Sequence, residues 1–268
     1  MDDRLTALVR WLRDLDSAAV AVSGGVDSMT LAVIAHRTRH AATTMFHAVS
    51  PAVPPEATER VRRYARSEGW DLQVFDAGEF GDNNYLSDPV DRCFHCKTHL
   101  YGAIADRTSA TLLSGTNVDD LGDFRPGLAA ARTFDVRHPF VEVGIDKATI
   151  RLISSDLGLH DVAELPAAPC LASRVETGIP IVAADLTTVN RAERALRELL
   201  HPEVVRCRLR ADGIVVELDE ATLDALSEGR RREVRNVVRA AWGDHGDRPV
   251  ALAPYRRGSA FLRSRAEV

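Results

Sequence analysis

The hexapeptide SGGVDS, Ser23 to Ser28, runs directly from the apolar stretch AAVAV into the helix-patterned stretch MTLAVIAHR. A strand that passes through two glycines into a helix start is the opening of a βα unit, and this restricts the fold more than any other part of the chain. Gly24 and Gly25 tolerate positive φ and carry no side chain, so consecutive backbone N–H groups can curl into an anion-binding nest. The helix that follows adds the positive end of its dipole and its unpaired N–H groups. Ser23 and Ser28 offer hydroxyls, and the Asp27 carboxylate can hold a magnesium ion. The lysine of a Walker loop is missing. A tight turn with Asp27 or Ser28 as helix N-cap uses the same residue types, so on these six letters alone both readings stand.

The runs TTMFHAV, LQVFDA and TLLSG read as further strands, each separated from the last by a helix-period segment. Alternation of this kind predicts an α/β fold: a Rossmann-like parallel sheet with helices on both faces and ligands at the carboxyl ends of its strands. LPAAPC and ETGIP break the pattern, which places a domain boundary near residue 180. Residues 1–180 form one expected domain and 181–268 a second, smaller α+β domain. In the latter, VVRCRLR and IVVEL are predicted to pair across an Asp212-Gly213 turn, which sets Arg208 opposite Glu217 and Arg206 opposite Asp219. Arg206 and Arg208 then share a face suited to a phosphate, or form cross-strand ion pairs, while Cys207 points into the apolar face as a core residue.

Of 268 residues, 45% are hydrophobic and 27% charged, enough to bury one large core or two modest ones. The net charge of −5 argues against nucleic acid as a partner. The charged start MDDRLTALVRWLRDLD lacks the apolar core of a signal peptide, and no run is long enough to span a bilayer, so a cytoplasmic location is expected. Four cysteines are too few for a disulfide scaffold. Cys93 and Cys96 stand three apart behind Asp91, a predicted N-cap, and a helix start favours thiolates. With Cys170 they are enough for an iron–sulfur cluster with one open iron; zinc, with His95 or His99 as a further ligand, competes. Asn117, Asp119, Asp120 and Asp123 follow a strand, where they can bind magnesium or a nucleotide, or simply form Asx turns. Ser173 and Arg174 follow Cys170 closely, and Arg suits bidentate recognition of phosphate or carboxylate.

With SGGVDS in this setting, the sequence resembles the PP-loop ATP pyrophosphatase family, whose members cleave ATP between its α- and β-phosphates and adenylylate a second substrate. The resemblance implies that Ser23, Gly24, Gly25, Asp27 and Ser28 hold the pyrophosphate portion, with Gly115, Asn117 and Asp120 completing the ATP site and FHAVS contributing near the adenine. The stretch HPFVEVGIDKATIRLISSDLGL also resembles the end of that domain; its Lys147 and Arg151 are read as a solvated helix face. PAAPCLASR, SGTNVDDLGDFRPG and YRRGS narrow the resemblance, over most of the chain, to the LarE-type sulfur transferases. Those proteins adenylylate a pyridinium dicarboxylate mononucleotide and convert its carboxylates to thiocarboxylates. The resemblance implies ATP and Mg2+, a small-molecule nucleotide substrate and a homo-oligomer. It makes Cys170 and Asp27 the catalytic residues, and assigns substrate-phosphate binding to Ser173, Arg174, Arg206, Arg208, Glu193 and Glu217. In one branch the cysteine of the PCLxSR loop gives up its own sulfur; in another an added CxxC goes with a [4Fe-4S] cluster. Cys93, Cys96 and Cys170 match the second.

Overall fold

The computed structural model describes residues 3–122, 124–167, 169–243 and 248–262. The chain divides into two compact units, Met1–Phe80 with Asp91–Ala168, and Gly81–Val90 with Pro169–Val268.

All four expected strands of the first unit form: β1 (Ala18–Ala21), β2 (Thr43–Ala48), β3 (Asp71–Phe75) and β4 (Thr111–Leu113). They lie in the order β3-β2-β1-β4, every neighbour parallel. Parallel pairing requires a crossover between strands, and the helices Val26–Thr38, Pro55–Glu68 and Arg92–Ala105 provide it. Side chains alternate across the sheet, so each strand serves two cores. Ala18, Val20, Met45 and Leu113 face one core with Met29, Val33, Phe140 and Ile150, while Ala19, Phe46 and Leu112 face the other with Tyr101, Ile104 and Val136. The sheet therefore has helices on both faces, the Rossmann-like α/β arrangement.

Helix Val26–Thr38 is apolar almost all round and buried from Val26 to Ala35 apart from Asp27, which marks it as a central helix covered by others. Helix Pro55–Glu68 carries both punctuation marks of its type. Pro55 opens it, and Gly69 closes it in the left-handed region at φ 71°, its N–H bonded to the Ala65 carbonyl.

In the second unit, β5 (Val205–Arg210) and β6 (Gly213–Leu218) form the expected antiparallel hairpin, and β7 (Val250–Pro254) runs parallel to β6. With helices Ala183–Leu200, Glu220–Ala225 and Glu228–Trp242 the composition is α+β. The hairpin register differs from the expectation by two residues: Arg206 faces Glu217, Cys207 faces Val216 and Arg208 faces Val215. The turn is Ala211-Asp212, and Gly213 is already in the strand. A Cβ on Gly213 would lie 2.5 Å from the Pro249 carbonyl oxygen, so this glycine serves the close passage of β7 and not the turn. A shift of two keeps every side chain on its face, so Cys207 remains in the apolar layer, fully buried.

Residues 169–180, expected with the first domain, pack with the second unit. Backbone bonds tie them there: Gly178 N–H donates to the Asp88 carbonyl, Glu176 N–H to Leu209 and Thr177 N–H to Ala260. Among the described residues no helix is long and apolar enough to cross a membrane.

Candidate functional site

In the first unit the strand order reverses at β1: β2 and β3 lie on one side of it, β4 on the other. In such sheets the crevice beyond the carboxyl ends of the two strands at the reversal is the place for a ligand. Residues 23–28 follow β1 and Ser114-Gly115 follow β4, so the two loops meet there.

The loop is held by its own serines. Ser28 Oγ accepts from Ser23 N–H at 3.1 Å and donates to the Gly25 carbonyl at 3.1 Å; with its hydrogen so used, it accepts from Ser23 Oγ at 3.0 Å. Gly24 takes φ 83°, and a Cβ there would stand 2.8 Å from the Ala57 carbonyl oxygen. Gly25 occupies the N-cap position without a side-chain cap, so the alternative with Asp27 or Ser28 as N-cap does not hold. The first-turn N–H groups that a side-chain cap would take are thereby left facing the crevice. On the other side, a Cβ on Gly115 would lie 2.8 Å from Ser28 N and 2.9 Å from Asp27 C. Only glycine lets β4 end this close to the loop.

Asp27 points at residues from two further segments. Its Oδ2 lies 2.5 Å from Lys147 Nζ and its Oδ1 3.5 Å from Asn117 Nδ2. Burial pushes the Asp27 carboxyl above its ordinary value, against the pull of Lys147, and the like charge of Asp120 works in the same direction as burial. The loop 117–120 is internally bonded. Asn117 N–H donates to Asp120 Oδ2, Asp119 N–H to Asn117 Oδ1, and Lys147 N–H to Asp119 Oδ2. Arg125 pairs with Asp120 at 2.6 Å. Asn117 thus forms an Asx turn, while the Asp120 and Asp119 carboxylates accept from the Asn117 and Lys147 N–H groups; Asp123 lies outside the described residues.

Lys147 corrects the sequence reading, which put it on a solvated face. A signal was present: Lys147 opens its helix just after the N-cap Asp146, and a cation at a helix start is disfavoured by the dipole unless something else holds it. Arg151 instead caps carbonyls, donating to Ala163 and Leu165, and has a structural role. Of FHAVS, Phe46 belongs to the core and His47 is buried, with Nδ1 at 2.7 Å from the Val22 carbonyl and Nε2 at 2.9 Å from Thr58 Oγ1. Its Nδ1 must donate, so Nε2 accepts. Burial lowers its pKa, which keeps the ring neutral. Ala48, Val49 and Ser50 of that stretch are partly exposed. At the end of β4, Ser114 Oγ lies 2.8 Å from His138 Nδ1 and 3.0 Å from Thr116 Oγ1.

Cys93 and Cys96 are half-buried at the start of helix Arg92–Ala105. Asp91 stands at the N-cap position but its side chain makes no capping bond; its Oδ1 is 3.8 Å from His95 Nε2 instead. Cys170, in the second unit, is exposed. Its carbonyl accepts from Ser173 N–H, Ser173 Oγ and Arg174 Nη1 at 3.0, 2.7 and 3.0 Å, so the backbone is pinned while the thiol stays accessible. Among the described residues, no three His, Cys, Asp or Glu side chains stand grouped as a metal site.

Arg174, Glu193, Arg206, Arg208 and Glu217 share one buried polar layer in the second unit. Arg174 meets Glu193 through two bonds of 3.0 Å, and Glu193 also accepts from Arg197 and from Cys207 N–H. Arg208 pairs with Glu217 at 3.0 Å and donates to the Ser173 carbonyl. The pairing is diagonal across the hairpin, because Arg206 and not Arg208 stands directly opposite Glu217. Arg206 donates to the Val205 carbonyl and lies 5.9 Å from the Tyr255 ring centre. Burial, with the neighbouring charge of Arg174, pulls its pKa down to about 10. Burial, reinforced by the Glu193 charge, pushes the Cys207 thiol well up, in keeping with a core residue.

Fold and site define an α/β protein with a glycine-rich loop at the reversal point of a parallel sheet. No family model matches the chain. It is 35% identical over 208 residues to the uncharacterized protein slr1717 of Synechocystis, covering 76% of this chain and 77% of that one. It is 28% identical over 225 residues to the pyridinium-3,5-bisthiocarboxylic acid mononucleotide synthase of Lactiplantibacillus plantarum, covering 81% and 79%. A Methanocaldococcus jannaschii protein, MJ0830, also uncharacterized, is 24% identical over 213 residues. The chain belongs to the family of the Synechocystis protein, and its likeness to the Lactiplantibacillus synthase supports a LarE-type family.

Proposed function

We propose that this protein is a PP-loop enzyme that uses ATP to adenylylate a carboxylate of pyridinium-3,5-biscarboxylic acid mononucleotide and then exchanges the activated oxygen for sulfur. The observation that carries the reading is the meeting of residues 23–28 with Gly115, Asn117 and Lys147 around Asp27. The Lactiplantibacillus relative is a synthase of the 3,5-bisthiocarboxylic acid mononucleotide, and the substrate proposed is the dicarboxylate that corresponds to that product.

In the first step a substrate carboxylate oxygen attacks the α-phosphorus; the bond to the bridging oxygen breaks and pyrophosphate leaves with the electron pair. The loop N–H groups and the helix start stabilise the departing charge. Lys147 pairs with Asp27 and fixes its carboxylate in the crevice, and Asp27 would hold the Mg2+ that accompanies ATP. The acyl adenylate then loses AMP to a sulfur nucleophile at its carbonyl carbon, giving the thiocarboxylate. Arg206 and Arg208 are assigned to the substrate phosphate with Ser173, Arg174, Glu193 and Glu217 as their supports; a dianion would offset the burial that depresses Arg206. On the family resemblance, Cys93, Cys96 and Cys170 are assigned as the ligands of a [4Fe-4S] cluster; among the described residues they are not grouped as a metal site. The first two stand one turn apart at a helix start that favours thiolates, and the third is exposed on a fixed backbone. When bound, the cluster supplies a place from which sulfide is delivered.

Purified protein is incubated without oxygen with Mg-ATP and the dicarboxylate mononucleotide. Pyrophosphate and AMP should form in step with a product in which oxygen is replaced by sulfur, read by mass spectrometry. No pyrophosphate above that of an Asp27→Ala variant would sink the reading.

A further inference from the structure

Helix Pro55–Glu68 packs against the loop 23–28, with Ala57 next to Gly24. Arg60 on that helix donates from Nη1 to the Gly24 carbonyl at 2.8 Å. One residue earlier than Ser23, the Val22 carbonyl is taken by His47, whose other nitrogen accepts from Thr58 of the same helix. A trans peptide points its C=O and the next N–H in opposite directions. With the Val22 and Gly24 carbonyls both claimed, the Ser23 and Gly25 N–H groups are turned toward the Ser23 and Ser28 hydroxyls, where they are found.

Arg60 itself is half-buried, and among the described residues it makes no ion pair. Two acids act on it from a distance: Asp161, which is engaged by Arg63 and Tyr64, and Glu56, one turn earlier on the same helix. Burial, reinforced by Arg63, lowers the pKa of the Arg60 guanidinium. A cation bonded to a carbonyl of a glycine-rich anion loop, and in no ion pair among the described residues, is stabilised by an arriving anion.

We propose that Arg60 is a pyrophosphate-binding residue of the nucleotide site, holding the Gly24 carbonyl with Nη1 and directing its remaining N–H groups to the β- and γ-phosphates. The proposal rests on reading residues 23–28 as the ATP loop. Arg60 is offered as a group that touches the nucleotide, distinct from His47 and Thr58, which act only by holding the loop.

Calorimetric titration of the whole protein with Mg-ATP, inorganic pyrophosphate and AMP, for wild type and Arg60→Gln, tests it. The variant should bind Mg-ATP and pyrophosphate about tenfold or more weakly, while AMP, which lacks both outer phosphates, changes by less than about twofold. Unchanged pyrophosphate affinity overturns the proposal. Equal losses for AMP and ATP also overturn it, since they would make Arg60 a loop support only. A wild type that binds none of the three ligands refutes the ATP-loop reading itself, a result separate from any effect of the variant. Should the Gln variant lose its circular-dichroism signature, Arg60→Lys carries the same comparison. It keeps the stem and charge but not the planar fork, and about three- to tenfold weaker pyrophosphate binding is expected.

Discussion

Lys147 Nζ lies 2.5 Å from Asp27 Oδ2, joining the helix that follows β1 to one that begins 120 residues later. The pair stands at the reversal point of the sheet, where its net charge of zero leaves the loop N–H groups as the local positive field. It also sets the protonation of Asp27, because Lys147 is the chief opponent of the burial that raises the carboxyl.

This fixes a pH dependence. A carboxyl whose folded pKa is raised binds its proton more tightly when folded, so it favours the native state at low pH and loses that contribution as pH rises through the folded pKa. Activity runs the other way, since only the ionised form pairs with Lys147 or a metal. The acid limb of pyrophosphate release in wild type should therefore lie above the 3.8 of an ordinary Asp. In Lys147→Gln the limb should move further up, and the plateau should fall by about tenfold or more. Rates measured across the acid limb check both; an unmoved limb in the variant would detach Asp27 from the reaction.

Gly115 tests the closeness of the two loops. A methyl group at this position meets backbone atoms of Asp27 and Ser28, which cannot swing away as a side chain could. Gly115→Ala should cost about 1–3 kcal/mol in urea unfolding and weaken ATP binding more than it weakens the fold. Gly122→Ala is the control, with nothing within 4 Å of its added methyl group, and should change ATP binding by less than twofold.

Much of this site could be read from spacing because its elements are local in sequence. The strand-loop-helix at residues 18–38, the four alternating strands and the polar run after β4 each announce themselves within a dozen residues. What could not be read depends on contacts made at long range. Arg60 carries no local mark of facing the loop, since a charged residue on an amphipathic helix looks the same whether it meets solvent or a distant carbonyl, and Lys147 carries only the weak mark of a cation at a helix start. The hairpin register failed for a related reason. Asp-Gly is a strong turn signal, but Gly213 is demanded by Pro249, the residue before β7. Gly81–Val90 joins the second unit through bonds such as Ile181 N–H to the Leu86 carbonyl, which no composition change announces.

The cysteines make separable predictions. Cys170→Ala removes an exposed thiol whose backbone is held by Ser173 and Arg174. The variant should unfold at the wild-type temperature and still release pyrophosphate, but form no thiocarboxylate. In protein purified without oxygen, about four irons and four sulfides per chain should be lost in Cys93→Ala and Cys96→Ala. Zinc in their place would make the CxxC pair structural. A wild type without metal would move the sulfur source to Cys170 itself, seen after turnover as a mass loss of one hydrogen sulfide.

Glu193 is the centre of the buried layer in the second unit, with no exposed surface, and it takes bonds from Arg174, Arg197 and the Cys207 N–H. Removing it strands the Arg174 guanidinium, which Glu193 holds above its ordinary pKa against the effect of burial. Breaking one side of a buried pair typically costs about 3–5 kcal/mol, so Glu193→Ala should lower stability by that order. Arg197 reaches the same carboxylate from a side chain 40% exposed, and Arg197→Ala should cost about 1 kcal/mol or less. Urea titrations of the two variants give the comparison. If Arg206 and Arg208 receive a substrate phosphate, inorganic phosphate should recover part of the stability of Arg197→Ala, where the layer is intact, and none of the stability lost in Glu193→Ala, where Arg174 no longer has a fixed position. Equal recovery in both would show that phosphate binds elsewhere, and leave these arginines as ion pairs of the hairpin.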